Sequence, residues 1–172
     1  MATPVREALA EARRSAVHLE MRDSYMLDDP DFVAWQHGRR HDPTDRSSWW
    51  RPWLDAVAAA TGRGVAVRRA RIVSEPLSDY IRYEFDGTFT NIAAGEDVRW
   101  LPRRRTYDLA LPGVDFWLFD DATVVLNHFT GDGQWADPGM QVCTDPAVAK
   151  LCSTAFAAVW ERAIPHAEYR PG

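Results

Sequence analysis

The segment from Asp115 to Trp135, DFWLFDDATVVLNHFTGDGQW, restricts the possible folds more than any other stretch of the chain. Its pattern predicts a β-hairpin, with one strand at 115–120, a turn at 120–122 and a return strand at 123–130. Apolar side chains fall on both faces of these strands, and such strands belong in the middle of a covered sheet. We therefore expect the hairpin to lie inside a sheet, with the last helix packed across it.

The polar residues of this hairpin allow two interpretations. Asp115, Trp117, His128 and Asp132 could line a pocket, because residues where a rigid strand meets a loop often carry function. Alternatively, this is a core hairpin with ordinary polar ends, since exposed strand ends are normally polar. In the first interpretation, we expect His128 to act as a hydrogen-bonding residue.

Helical and strand patterns alternate along the rest of the 172 residues. The patterns predict helices at 4–14, 31–36, 49–61, 77–85, 89–94 and 146–164, and strands at 15–25, 65–74 and 97–101, with a helical connection at 103–109. Residues 136–140 are expected to form a loop and residues 165–172 a loose tail. No linker or repeat divides the chain, so we predict a single domain of residues 1–172. Its fold class is α/β or α+β, with a mixed sheet of about five strands, a central hairpin and covering helices.

Composition argues against several classes of function. The net charge of −5 makes direct nucleic-acid binding unlikely, although the run Arg103-Arg104-Arg105 keeps DNA contact as an alternative. Cys143 and Cys152 lack the spacing of zinc ligands and are expected to be free thiols, so we predict neither a metal site nor a cofactor. With no apolar run of membrane-spanning length and no signal-peptide pattern, we expect a cytoplasmic protein without membrane contact.

The strand at 65–74 places Arg69 and Arg71 on one half-apolar face. Arg71 could hold the carboxylate or phosphate of a small anionic ligand through parallel hydrogen bonds. Alternatively, it forms a salt bridge with one of the 25 acidic residues. By contrast, His18 alternates with apolar neighbours and is expected at the surface. The candidate ligand-binding residues are Arg71, Tyr80, Arg82, Glu84, Arg99, Trp100, Asp115, Trp117, His128 and Asp132; no residue is predicted to be catalytic.

Four phrases, HLEMRDSY, RIVSEPLSDYIRYE, NIAAGEDVRWLPR and the hairpin itself, together resemble a family of domains of unknown function in small proteins of high-GC actinobacteria. The resemblance extends from Arg6 to Ala167. Members of that family are often encoded beside helix-turn-helix regulators, and related domains occur fused behind such DNA-binding modules. The resemblance implies a sensing or accessory role near transcriptional control, with a helix-turn-helix regulator as a possible partner.

The chain also resembles, more weakly, the phospholipase-D-like fold, in which a histidine is followed by any residue, a lysine, four residues and an aspartate. Here His128 is followed two positions later by Thr130, and position 135 is Trp. A histidine nucleophile without a neighbouring cation lacks the main electrostatic stabilisation of the reaction, which puts this chemistry in doubt.

Two functions follow. The first is a non-catalytic regulatory or accessory module that binds a small ligand or a helix-turn-helix regulator. The alternative is a hydrolase of phosphodiesters or phosphate esters, with His128 as nucleophile or base and Arg71 or Arg99 as the clamp.

Overall fold

Residues 3–171, which the computed structural model describes, form a seven-stranded mixed sheet and five α-helices. The strands are β1 (Ser15–Glu20), β2 (Ala66–Val73), β3 (Asp97–Pro102), β4 (Asp115–Phe119), β5 (Thr123–Phe129), β6 (Trp135–Cys143) and β7 (Ile164–Pro165). The helices are α1 (Pro4–Glu11), α2 (Pro30–Gln36), α3 (Pro52–Gly62), α4 (Asp79–Ala93) and α5 (Pro146–Arg162). The predicted single domain of mixed α/β class is confirmed, and the strand count is higher than expected.

The strand order across the sheet is β6-β5-β4-β1-β2-β3-β7. β1, β2 and β3 are parallel, and each parallel step needs a long crossover, which α2 and α3 provide for the first and α4 for the second. β4, β5 and β6 form an antiparallel meander that joins the sheet beside β1. The predicted position of the hairpin is confirmed, because β4 and β5 both have a strand on each side and α5 packs against them.

Helices cover both faces of the sheet. α1, α3 and α4 cover one face, called here the α4 face, where Ala16, Val67 and Trp117 contribute to one core and Trp100 to a second. α5 covers the opposite face, the α5 face, where Leu19 and other side chains of β1, β2, β4 and β5 pack beneath it. A polar side chain that points toward the α4 face therefore enters the interior of the protein.

Two aspartates form the tight turn of the central hairpin. Asp120 and Asp121 have φ angles of 51° and 58°, in the left-handed region that both central residues of a type I′ turn require. The carboxylate of Asp120 also accepts hydrogen bonds from the backbone N–H groups of Arg13, Arg14 and Ser15, at 2.9, 2.8 and 2.9 Å. One side chain thus joins the hairpin to the connection between α1 and β1.

Several local predictions are wrong. Residues 136–140 lie within the edge strand β6 instead of a loop, because an edge strand tolerates a proline that need not donate to a second neighbour. The two helices predicted at 77–85 and 89–94 are one helix, α4, since a single glycine, Gly87, lowers helix stability without ending the helix. The connection at 103–109 is helical only over the 3₁₀ turn Arg103–Arg105.

The loose tail expected at 165–172 is also not found over residues 165–171. Ile164–Pro165 pairs with β3, and the side chain of Tyr169, which is 1% exposed, stacks on Trp100 with ring centroids 5.6 Å apart. A single large aromatic side chain anchors this otherwise polar segment, which is why composition alone did not reveal it. Within residues 3–171, none of the helices has the length and apolar character that crossing a membrane requires.

Candidate functional site

A buried cluster of ionic side chains lies between β1, β2 and α4; we call it the ion network. Arg71 lies between two carboxylates, with Nε 2.5 Å from Glu20 Oε2 and Nη2 2.5 Å from Glu84 Oε2. Arg69 bridges two carboxylates as well, at 2.8 Å to Glu20 Oε1 and 2.7 Å to Glu96 Oε1. Three carboxylates therefore surround two guanidinium groups.

The strand register explains why these residues meet. Glu20 is the partner of Arg71 in the parallel β1–β2 pair, so both side chains point to the α4 face. Along β2, Val67 and Val73 pack in the two cores of that face, and Arg69 and Arg71 lie between them. Helix α4 then contributes Glu84 from its inner side. The ion network occupies the gap between two apolar cores.

Charge pairing keeps the ion network ionised despite its burial. Burial raises the pKa of Glu20, but the ion pairs with Arg71 and Arg69 outweigh it and hold that pKa well below its usual range. Burial lowers the pKa of Arg69, and Glu96 and Glu20 more than offset this, so it lies above its usual range. Buried charges of this kind tolerate the interior only while each keeps its partner.

His18 is a correction to the sequence analysis, because it is buried and not at the surface. Its side chain is 8% exposed and stacks on Trp117, with ring centroids 4.2 Å apart. Glu20 Oε1 lies 3.6 Å from its Nδ1. Burial is the main cause that lowers the pKa of His18 to about 3, so the ring is neutral near pH 7. The alternation of polar and apolar residues correctly placed His18 on the face of β1 opposite Val17 and Leu19, but helices cover that face as well.

Asp115 lies at the start of β4, beside the ion network on the α4 face. Its carboxylate accepts a hydrogen bond from the hydroxyl of Tyr25 and another, of 2.9 Å, from the backbone N–H of Met21. Burial is the largest cause that raises the pKa of Asp115 to about 6, and the nearby charge of Glu20 acts in the same direction. Asp115 is therefore partly protonated near that pH.

The structure brings six of the ten predicted site residues to the same region of the α4 face. Trp100 lies 5.2 Å from the guanidinium of Arg71, Trp117 lies 5.5 Å from that of Arg69, and Tyr80 belongs to the adjoining core. The six residues are Arg71, Tyr80, Glu84, Trp100, Asp115 and Trp117. Arg71 forms the salt bridges that the sequence analysis gave as its alternative.

The other four predicted residues lie elsewhere. Asp115 pairs with Asn127, so the next residue, His128, points to the α5 face, where it contacts Gln141 at 3.1 Å. Asp132 is exposed in the loop after β5, Arg82 is exposed on α4, and Arg99 lies over Trp160 on the α5 face. The expectation of one pocket formed by Asp115, His128 and Asp132 is thus corrected, because successive strand residues point to opposite faces.

Sequence patterns did not reveal several polar residues in and beside the ion network. Glu20, Glu96 and Tyr25 were not identified as site residues, although each forms a close polar contact there. One signal was present: Glu20 on β1 and Arg69 and Arg71 on β2 fall on strand faces that also carry buried apolar residues such as Ala16 and Val67. Opposite charges at matching positions of two adjacent buried strands indicate an internal ion pair.

A cleft opens on the outer side of α4, between this helix and α2; we call it the α2–α4 cleft. Its cavity volume is about 310 Å³, and its lining residues include Asp31, Trp35, Arg40, Tyr83, Asp86 and Phe89. Asp86 accepts a hydrogen bond of 2.8 Å from Trp35 Nε1. Tyr83 lines the cleft, and the next residue, Glu84, binds Arg71, so the cleft wall is anchored to the ion network.

Comparison with solved structures shows the fold. Nuc from Salmonella typhimurium, a phospholipase D family member, has a TM-score of 0.50 and 15% identity, over 96% of this chain and 88% of that chain. NucT from Helicobacter pylori has a TM-score of 0.53 and 11% identity, over 94% of this chain and 87% of that chain. The archaeal chromatin protein TrmBL2 has a TM-score of 0.49 and 17% identity over 92% of this chain, which spans only 48% of TrmBL2.

Sequence comparison identifies a family. No curated protein matches the chain in sequence. A family model described as "Domain of unknown function (DUF6879)" matches residues 4–171, nearly the whole chain. The mixed α/β fold of the protein is similar to that of Nuc and NucT, and the protein belongs to the DUF6879 family.

Proposed function

We propose that the protein is a non-catalytic, small-ligand-binding module, and that the ligand occupies the α2–α4 cleft. The observation that carries this proposal is the cleft itself. Its volume of about 310 Å³ falls at the lower end of the range of small-molecule sites, roughly 300–1,000 Å³. Aromatic walls with a few polar groups, as Trp35, Tyr83 and Phe89 provide here, are typical of such sites.

The absence of the phospholipase-D-like motif supports a non-catalytic role. Lys150 is the only lysine in the sequence, and the residue two positions before it is Val148. The required histidine-any-lysine pattern therefore occurs nowhere in the chain. The two arginines nearest the centre of the α4 face, Arg69 and Arg71, are paired with carboxylates and would have to break those pairs to hold a phosphate.

A ligand-binding module of this kind fits a regulatory or accessory role. In our proposal, the bound ligand changes how the protein contacts a partner, and a helix-turn-helix regulator is the partner implied by the sequence resemblance. Copurification of such a regulator with the tagged protein, with and without a bound ligand, would test this part. Equal recovery under both conditions would argue that the ligand does not control the interaction.

The alternative function, a phosphodiester or phosphate-ester hydrolase, is supported by the fold shared with a phospholipase D family member. It requires His128 to react without a neighbouring lysine. We expect no turnover of generic phosphodiesters above the buffer background. Reproducible hydrolysis that is lost in His128→Ala, with an unchanged circular dichroism spectrum, would replace the ligand-binding proposal with the hydrolase.

A thermal-shift screen of small metabolites, followed by titration of each hit, tests the proposed site. Trp35→Ala, in the cleft, should weaken binding of a true ligand. Trp135→Ala is the matched control, because Trp135 is exposed on β6 and does not line the cleft. If a hit binds equally well to both variants, the ligand site lies elsewhere.

A further inference from the structure

Within the α2–α4 cleft, one of the chain's own guanidinium groups already occupies an aromatic and acidic position. The guanidinium carbon of Arg40 lies 4.5 Å from the centroid of the Trp35 ring, a cation–π geometry. Arg40 Nε lies 3.4 Å from Asp86 Oδ2, and Nη1 donates to the backbone carbonyl oxygen of Trp35 at 2.8 Å. The cleft thus contacts the guanidinium of Arg40 through an aromatic ring, a carboxylate and a backbone carbonyl oxygen.

The fixed walls of the cleft offer mainly acceptors. Asp31 and Asp86 supply carboxylates, and Trp35, Tyr83 and Phe89 supply aromatic rings. The one N–H donor of the Trp35 side chain is already bonded to Asp86. His41 also lines the cleft, and burial lowers its pKa, which favours its neutral form. With His41 neutral and without the side chains of Arg39 and Arg40, these walls would carry two negative charges and no positive one.

Charges around the cleft add to this preference. Burial raises the pKa of Tyr83 to about 12; the carboxylates of Glu84, Asp29 and Asp31 act in the same direction, and Arg51 acts against them. Three carboxylates and one arginine thus act on this wall. The excess of carboxylates favours a cation in the cleft over an anion.

The two arginines that fill the acidic positions are held weakly. They follow Gly38, which has a φ of +92°, in the connection after α2. The side chains of Arg39 and Arg40 are 61% and 51% exposed, and Arg39 Nη1 lies 3.9 Å from Asp31 Oδ1. Exposed ion pairs contribute little to stability, so a ligand can displace these side chains at low cost.

We infer that the cleft receives the guanidinium group of a small molecule, which replaces Arg40 over the Trp35 ring and against the Asp86 carboxylate. This inference rests on the proposed function and names the chemical class of the ligand. A guanidinium ligand differs from the anionic ligand expected from sequence. The positive charges of the two cleft arginines are already balanced by the negative charges of the two aspartates. An anion bound there would face Asp31 and Asp86.

The test uses calorimetric titration of the full chain with three probes: agmatine, AMP, and N-carbamoylputrescine, the ureido isostere of agmatine, which keeps the terminal ammonium but has a neutral urea group in place of the guanidinium. Agmatine should bind the wild type, and the ureido isostere should bind at least about tenfold more weakly, since its neutral urea group cannot make the cation–π and charge contacts of a guanidinium. Arg40→Ala should tighten agmatine binding by about tenfold, because the competing internal guanidinium is gone. Asp86→Asn should weaken agmatine binding by a similar factor.

Arg104→Ala is the matched control, because Arg104 is 80% exposed and lies outside the cleft. The affinity of the Arg104→Ala variant for agmatine should equal that of the wild type. Arg40→Gln provides a second variant if Arg40→Ala does not fold, as judged by circular dichroism.

Each contrary outcome has a distinct meaning. Agmatine that fails to bind, or binds no better than its ureido isostere, overturns the inference. AMP binding that is lost in Arg40→Ala and in Trp35→Ala overturns the guanidinium class but retains the cleft as a ligand site. If no compound of the metabolite screen depends on Trp35, the proposed function fails together with the inference.

Discussion

Replacing Arg71 by lysine tests whether the ion network serves the fold or a ligand. Arg71 is 3% exposed and contacts Glu20 through Nε and Glu84 through Nη2, so its planar group joins a strand to a helix. Lysine keeps the positive charge but has one nitrogen on a flexible stem. It cannot hold two carboxylates in this fork geometry.

The expected loss follows from the contacts. A hydrogen bond to a charged group contributes about 1.5–3 kcal/mol, and Arg71→Lys should lose one of the two. We therefore expect the free energy of unfolding to fall by about 2–3 kcal/mol. Arg71→Met leaves both carboxylates without this cation and should cost about 3–5 kcal/mol.

Urea denaturation at pH 7, followed by tryptophan fluorescence and by circular dichroism, measures these differences. Arg82→Lys is the control, since Arg82 is exposed on α4, and its effect should stay within about 0.5 kcal/mol. The reasoning is refuted if Arg71→Lys is as stable as the wild type. Unchanged stability combined with weaker ligand binding would assign Arg71 to the ligand instead of the fold.

Three further predictions concern other parts of the structure. Asp120→Ala should lower the free energy of unfolding, measured by urea denaturation, by about 2–3 kcal/mol more than Asp121→Ala does. Both residues have positive φ, but only Asp120 accepts hydrogen bonds from three backbone N–H groups. Equal losses in the two variants would contradict this reasoning. Because the pKa of Asp115 is raised to about 6, the folded state binds more protons than the unfolded state between about pH 4 and 6. The stability of the wild type relative to Asp115→Asn should therefore fall as the pH rises through that window. A stability difference that does not change with pH in urea denaturation series would reject this assignment. Tyr169→Ala should lower the free energy of unfolding by about 3–5 kcal/mol. Tyr107→Ala, at a residue that is 89% exposed, should leave it almost unchanged. Similar melting temperatures for the two variants would mean that the tail does not anchor the fold.

The sequence was sufficient to predict most of the architecture. The apolar pattern of residues 115–130 correctly placed the hairpin inside the sheet, and proline at the first helical position marked α1 and α5. Sequence patterns did not predict the segments whose local structure depends on tertiary contacts. The edge strand β6 contains Asp137, Pro138 and Gly139, which have low strand propensity. They lie at an irregularity of the register, and the pairing of Trp135 and Met140 with β5 holds the strand on either side of them.

The candidate site was only partly predictable. Arg71 and Glu84 were identified by their residue types, but their roles depend on Glu20, which reads as a surface residue in β1. The α2–α4 cleft was not predicted at all, because it brings together residues of α2, the following loop and α4 that are far apart along the chain. Alternation along a strand shows which residues share a face, but it does not show whether a helix covers that face.

The ion network has a consequence for how sequences of this family can diverge. Arg69 and Arg71 each contact two carboxylates and share Glu20, so the residues of the network depend on one another. A substitution at one position strands a charge in the interior, whereas joint replacement by apolar residues of similar volume need not be costly. Family members should therefore keep Glu20, Arg69, Arg71 and Glu96 together or lose them together, and intermediate combinations should be rare.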